Sequence, residues 1–263
     1  MNLQNLCYDA IEICKDVREF ILNERMSFTQ DNVETKGKHD FVSYVDKQAE
    51  SKLVKALSKI LPDSGFIVEE NTISKKGEKW TWIIDPLDGT TNFIHGVPLF
   101  SISIALQEKN KTVLGIVYEL NLDECFYAWE NSKALLNGEE IKVSNTKTIN
   151  DSLIATGFPY YDYSRLDEYN EIFLYLLKNS RGIRRLGSAA VDLAYVACGR
   201  FDVFYEYGLR PWDVAAGAFI VQQAGGANFD FSGNNNFIYG KEIISTNNSL
   251  SKEFLNICKT YFK

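Results

Sequence analysis

The chain has no Cys-x-x-C pair and no Cys/His cluster, and its only two histidines are His39 and His95, so it lacks the ligand sets that hold zinc. Its five cysteines, Cys7, Cys14, Cys125, Cys198 and Cys258, are odd in number. Three of them fall on apolar faces of expected helices, which marks them as buried free thiols and not a disulfide framework. No run of about 18 consecutive apolar residues occurs, and the stretch from Met1 to Arg25 carries charges from Asp9 onward, so neither a membrane span nor a signal peptide is expected. Basic charge is not in excess: 28 Lys and Arg stand against 35 Asp and Glu, a formal net charge of -7. That balance opposes nonspecific binding to nucleic acid or to anionic membranes. Internal repeats and low-complexity linkers are also missing. What is left fits a soluble cytoplasmic enzyme, long enough to bury about three quarters of its unfolded surface in one large domain or two merged ones.

Acid is present, and it is placed with order. Residues Trp82 to Asn92 read Trp-Ile-Ile-Asp-Pro-Leu-Asp-Gly-Thr-Thr-Asn: a hydrophobic strand, two aspartates three residues apart, then a helix start. Pro86 fixes its own φ and biases Asp85 toward extended backbone, so the turn can aim the Asp85 and Asp88 carboxylates at one point. Two like charges about 4 Å apart repel by roughly 4 kcal/mol at an effective dielectric near 20, so such a pair persists only if protonated, shared or bound to a cation. Gly89 permits a tight turn, and the N–H groups of Gly89, Thr90 and Thr91 then face an anion. A divalent metal beside an anion hole suits a phosphate ester. The plain alternative is a surface Asp-Gly turn.

More acids lie in matching settings. Phe66-Ile67-Val68 is a short buried-strand run ending in Glu69-Glu70, and strand tips are where open α/β sheets place ligands. Asp46 precedes a helix with apolar Ala49, Leu53, Ala56, Leu57 and Ile60. Asp213 opens a small-residue helix that ends at Gly225-Gly226. Taken singly, Asp46 and Asp213 read equally well as plain N-caps.

Taken together, these segments resemble the inositol monophosphatase family, the lithium-sensitive, magnesium-dependent sugar phosphatases. Trp82 to Phe93 is similar to its first signature, and Trp212-Asp213-Val214-Ala215-Ala216-Gly217 followed by Gly225-Gly226 is similar to its second. Phe66 to Glu70, preceded by Lys36 to Asp46, supplies a third match, and the segment from Gly187 to Asp213 resembles the bacterial inositol-1-monophosphatase members. The likeness covers nearly the whole chain. It implies that Glu69, Asp85 and the carbonyl of Leu87 hold one Mg²⁺ ion, that Asp85, Asp88 and Asp213 hold a second, and that Glu69 also reaches a weaker third. Oxygen ligands alone suit that hard cation. The resemblance further implies that Thr90, paired with Asp46, orients and deprotonates the attacking water, and that Gly89, Thr90 and Thr91 cradle the phosphate. Gly187, Ser188 and Ala189 would meet the substrate, and Glu206 would accept hydrogen bonds from sugar hydroxyls. Glu206 can also be read as a surface acid at a strand end. Arg184, with Arg185 beside it, is a candidate contact for an anionic substrate or a solvated basic pair. Lys36, ten residues before Asp46, is either a countercharge near the phosphate or a surface lysine. Family members are usually homodimers.

Periodicity predicts a long first helix through Leu3, Cys7, Ala10, Cys14, Val17 and Ile21, and a second over 47–61. Antiparallel strands are expected over 65–69, 80–84, 100–106, 111–118 and 124–129, with a hairpin turn at Glu108-Lys109-Asn110. Strand then alternates with helix: strands over 153–156, 183–186, 202–205 and 242–245, and helices within 165–178 and over 189–197. The expected fold class is α/β (α+β), a layered α/β/α/β/α sandwich. Its N-terminal half, 1–146, carries most metal ligands, and its C-terminal half, 147–263, carries the substrate residues and the last ligand. Four functions compete. The leading one is hydrolysis of myo-inositol monophosphate; the others are the same chemistry on fructose-1,6-bisphosphate or another polyol phosphate, the same chemistry on 3'-phosphoadenosine 5'-phosphate or histidinol phosphate, and a regulatory binding role on the same fold.

Overall fold

A computed structural model describes residues 1–29, 33–37, 40–73, 75, 77–160 and 162–262, with the backbone alone over 33–37 and 40–42. In chain order these form α1 (Leu3–Ser27), β1 (Val33–Gly37), β2 (Asp40–Ser43), α2 (Tyr44–Ile60), β3 (Gly65–Val68), β4 (Trp80–Asp88), α3 (Thr90–His95), β5 (Ser101–Glu108), β6 (Lys111–Glu119), β7 (Glu124–Trp129), β8 (Leu135–Leu136) and β9 (Glu139–Glu140). After a 3₁₀ turn at Ile149–Asp151 come β10 (Leu153–Thr156), α4 (Leu166–Asn179), β11 (Gly182–Arg184), α5 (Ala189–Ala197), β12 (Val203–Tyr207), α6 (Pro211–Gln223), β13 (Gly226–Phe229), β14 (Glu242–Asn247) and α7 (Ser251–Tyr261).

Period-two alternation in the strands builds the layers. Trp82 and Ile84 of β4, Ile102, Ile104 and Leu106 of β5, and Leu114 and Ile116 of β6 join the buried side chains of α1 and α2 in one core. The intervening Ile83, Ala105 and Val117 face a second core with α5 and α6, and Ala155, Phe204 and Ile243 enter that core from the other sheet. The opposite faces of β10, β12 and β14 send Ile154, Val203, Tyr205 and Ile244 to a third core with α4 and α7. The layers therefore run α1/α2, a seven-stranded sheet ordered β3-β4-β5-β6-β7-β8-β9, α5/α6, a five-stranded sheet ordered β11-β10-β12-β14-β13, and α4/α7. This is the expected α/β/α/β/α sandwich.

The central helices explain their own composition. Val214 through Val221 of α6 are all buried, so the helix has no solvated face and is apolar all round. It is also thin where neighbours press close: a Cβ on Gly217 would lie 2.5 Å from Leu193 Cβ of α5, and one on Gly115 of β6 would lie 2.7 Å from the carbonyl oxygen of Ala216.

Several expected elements differ in detail. β3 pairs with β4 in parallel, not antiparallel, because the chain between them returns to the end of the sheet at which β3 began. The second helix starts at Tyr44, earlier than its apolar periodicity shows, because Ser43 caps it. β4 continues past Pro86 to Asp88, and the strand expected over 183–186 ends at Arg184. The helix α7, and the short strands β1, β2, β8, β9 and β13, were not anticipated. All five cysteines are free; four are buried and Cys198 is half-buried.

Candidate active site

The end of β4 is bent by one extra residue. Asp85 pairs with Ser103 of β5 and Asp88 with Ser101, three steps on one strand against two on the other, which is a bulge. Pro86 stands inside it, where a missing N–H costs no ladder bond. The bulge is held locally: Leu87 N donates to Asp85 Oδ1 at 2.9 Å, and Thr90 Oγ1 lies 3.0 Å from the carbonyl oxygen of Leu87. Gly89 then takes φ 97°, and a Cβ there would meet the carbonyl oxygens of Gly187 and Leu99 at 3.2 Å, so glycine alone fits.

Two helices deliver the distant aspartates by the same local device. Neither Asp46 nor Asp213 is an N-cap. Each sits at the third helical position and accepts from the cap's backbone N–H: Ser43 N to Asp46 Oδ2 at 2.9 Å, and Arg210 N to Asp213 Oδ2 at 2.6 Å. One oxygen is thereby committed to the helix and the other is aimed outward. Asp46 Oδ1 accepts from Thr90 Oγ1 at 2.9 Å. Pro211 begins α6, and Ser103 Oγ donates to the Trp212 carbonyl oxygen at 3.0 Å, fixing the Asp213 end of the helix to β5.

Carboxylate oxygens of Asp85, Asp88 and Asp213 lie within 4.8 Å of one another, a grouping that can hold a metal ion. Glu69 reaches the same cleft, and its Oε2 is buried without a hydrogen-bond partner. Burial, followed by the charge of Asp213, holds the Glu69 carboxyl well above the usual range, and burial with Glu69 does the same to Asp85. Asp88 is pushed up to about 6, chiefly by burial, although Ser188 and the amide of Ala190 oppose the shift. Asp213 is pushed up to about 7 by burial and by Asp88. Four acids that resist ionising together, one with an orphaned oxygen, fit a divalent cation well.

The wall opposite is built by α5 and β12. Asp88 Oδ2 accepts from Ser188 Oγ at 2.5 Å and from Ala190 N at 2.8 Å, so the start of α5 orients this carboxylate. Asn92 ties the same loop to α3, its Nδ2 donating to the carbonyl oxygens of Leu99 and Leu186 at 2.8 and 2.9 Å. Glu206 is not a surface acid at a strand end. It lies within β12, is 6% exposed, and packs on Gly157, where a Cβ would sit 2.0 Å from its Oε2. Burial holds it well above the usual range, and Arg185 pulls in the opposite direction.

A single cleft of about 410 Å³ is lined by Glu69, Asp85, Leu87, Asp88, Gly89, Thr90, Thr91, Gly187, Ser188, Ala189, Glu206 and Asp213. Asp46 stands behind it, joined to the lining by the hydrogen bond from Thr90. Arg184 does not enter: it is exposed at the end of β11, and its guanidinium donates to the carbonyl oxygen of Ile183 at 3.0 Å. Arg185 enters in its place, Nη2 donating to Tyr160 OH at 2.5 Å. The side chain of Lys36, like all of His39, lies outside the described residues. Sequence reasoning missed Tyr160, Arg210 and Asp192, all of which line the cleft, and Glu50 behind it. Of these only Glu50 left a signal, an acid four residues after Asp46 on the same helix face.

The chain matches the family model described as the inositol monophosphatase family over residues 2–260. It is 40% identical over 258 residues to a protein of Pseudomonas aeruginosa named Nus factor SuhB, covering 96% of this chain and 95% of that one. It is 36% identical over 228 residues to the inositol-1-monophosphatase of Mesorhizobium japonicum, covering 86% of each. The crystal structure of the extragenic suppressor protein suhB from Bartonella henselae superposes with a TM-score of 0.91 at 36% identity, over 97% of this chain and 98% of that one. With sequence, layers and acidic cleft all in agreement, the chain belongs to the inositol monophosphatase family.

Proposed function

We propose that the protein is a Mg²⁺-dependent phosphomonoesterase that hydrolyses myo-inositol monophosphate to inositol and phosphate. The observation that carries this reading is the convergence, in one cleft, of an acid cluster with an unpartnered Glu69 oxygen, a Thr90–Asp46 hydrogen bond, and the buried Glu206 on the opposite wall. Glu69, Asp85, Asp88, Asp213 and the carbonyl of Leu87 would hold two ions, with a weaker third at Glu69. When bound, Mg²⁺ supplies Lewis-acid stabilisation of the charge on attacking and leaving oxygens.

The protein's own groups do the rest. With the Thr90 proton directed to Asp46 Oδ1, the hydroxyl turns a lone pair to the cleft; it accepts a proton from water as its own proton passes to Asp46, leaving hydroxide, a neutral Thr90 and a protonated Asp46. The amides of Gly89, Thr90 and Thr91 receive the phosphate oxygens, and the wall of Gly187, Ser188 and Ala189 sets the ester's orientation. Glu206 accepts hydroxyls of the polyol, which favours inositol over esters lacking them. A homodimer is the assembly proposed.

The test is steady-state phosphate release from inositol-1-phosphate, glycerol-2-phosphate, fructose-1,6-bisphosphate, histidinol phosphate and 3'-phosphoadenosine 5'-phosphate, with and without Mg²⁺ and lithium. A kcat/KM preference for inositol-1-phosphate that vanishes without metal is expected. A preference for another ester moves the substrate and keeps the chemistry. A second reading, a regulatory binding role, is favoured by the relative named Nus factor SuhB at 40% identity, and absence of turnover on every ester would leave that reading standing.

A further inference from the structure

Glu50 lies on α2 one turn beyond Asp46 and is fully buried. Its Oε2 accepts the backbone N–H of Glu70 at 2.7 Å, and its Oε1 accepts that of Thr72 at 2.8 Å. These bonds grip the segment that leaves β3, the edge strand of the seven-stranded sheet, immediately after Glu69. The segment is irregular: Asn71 adopts φ 55°, and its Nδ2 closes on the Glu69 carbonyl oxygen at 3.2 Å. A carboxylate spanning two amides gives charge-assisted bonds, stronger than a neutral acceptor makes. Asp46 and Glu50, four residues apart, project from the same face of α2, so one helix holds both the Thr90 hydroxyl and the Glu69 segment.

We propose that Glu50 is a positioning residue for Glu69: by fixing residues 69–72 it sets the geometry of the Glu69 carboxylate, and with it the cleft's affinity for a divalent cation. The inference rests on the metal-dependent reading above. Glu50→Gln is the informative change. The amide keeps the volume but offers N–H where one backbone N–H needs an acceptor, so one of the two bonds is lost.

Calorimetric titration of the metal-free protein with Mn²⁺ tests the idea in wild type, Glu50→Gln, Glu69→Gln and the double variant. Glu50→Gln is expected to weaken Mn²⁺ binding by about 10–100-fold, the usual effect of losing an outer support of a metal ligand. In the Glu69→Gln background it should have no further effect, since it acts through that ligand. Unchanged Mn²⁺ affinity in Glu50→Gln, even with a lowered metal-free Tm, would overturn the proposal, as would losses that add in the double variant. If Glu50→Gln does not fold, Glu50→Asp, which keeps the charge and shortens the reach, goes through the same cycle with the same expectations. Failure of wild type to bind Mn²⁺ would remove the metal-dependent reading itself, whereas binding that Glu50 does not influence would remove only this inference.

Discussion

Gly157 and Glu206 share a space that any larger residue at 157 would close, since a Cβ there would meet all three atoms of the Glu206 carboxyl group at 2.0 to 2.1 Å. Gly157→Ala is therefore expected to displace the carboxylate without touching the acid cluster. For inositol-1-phosphate kcat/KM should fall roughly tenfold or more, and for p-nitrophenyl phosphate, which has no hydroxyl for Glu206 to receive, it should stay within about twofold. Equal losses on the two esters would remove Glu206 from polyol recognition. At this scale the sequence was uneven. Asp85 and Asp88 were legible because the strand, the proline and the glycine around them act within a few residues. Gly157 was not, because its constraint comes from a side chain on another strand. The choice between Arg184 and Arg185 turned on where β11 stops: Arg184 is its last residue and stays exposed, whereas Arg185 lies in the loop that follows and enters the cleft.

At the scale of elements, α5 and α6 position much of the cleft: Ser188 and Ala190 orient Asp88, and the first turn of α6 carries Asp213. Their contact is already at its limit at Gly217. Gly217→Ala, with its new Cβ 2.5 Å from Leu193 Cβ, should cost about 1–3 kcal/mol by overpacking, despite alanine's better helix propensity. Urea unfolding with an unchanged m-value checks this, and a stability equal to or above wild type would show that the helices can part freely. The length and burial of both helices could be read from their runs of small apolar residues. That Asp46 and Asp213 occupy the third helical position, and not the cap, could not be read so readily: the bond from the Arg210 amide to Asp213 depends on where the helix begins, which Pro211 and packing decide.

The whole molecule carries the electrostatic cost of gathering four acids in one place. Asp88 and Asp213, raised from 3.8 to about 6 and about 7, keep protons that the unfolded chain has already released. Stability of the metal-free protein should therefore fall as pH rises from about 4 to about 7, because over that window the folded state binds more protons than the unfolded one. A bound divalent cation takes the place of those protons, so excess Mg²⁺ should flatten the slope. Tm measured from pH 4 to 8 in EDTA and in excess Mg²⁺ tests this; a flat curve in EDTA would mean that the cluster holds no extra protons, and a falling curve left unchanged by Mg²⁺ would mean that it does not bind the ion.

By itself the sequence determined the alternating strand faces that fill three cores, the longer helices and strands up to α6 in their order, the local turn after Asp85, and membership of a family whose motifs it carries almost end to end. These follow from interactions a few residues apart, where pattern and backbone geometry leave few choices. The tertiary structure decided the parallel pairing of β3 with β4, the entry of Arg185, the burial of Glu206 against Gly157, and the grip of Glu50 on the Glu69 segment. It also joined Ser188 to Asp88 across 100 residues of chain. Contacts of that kind depend on how whole layers pack, so no local stretch of sequence contains them.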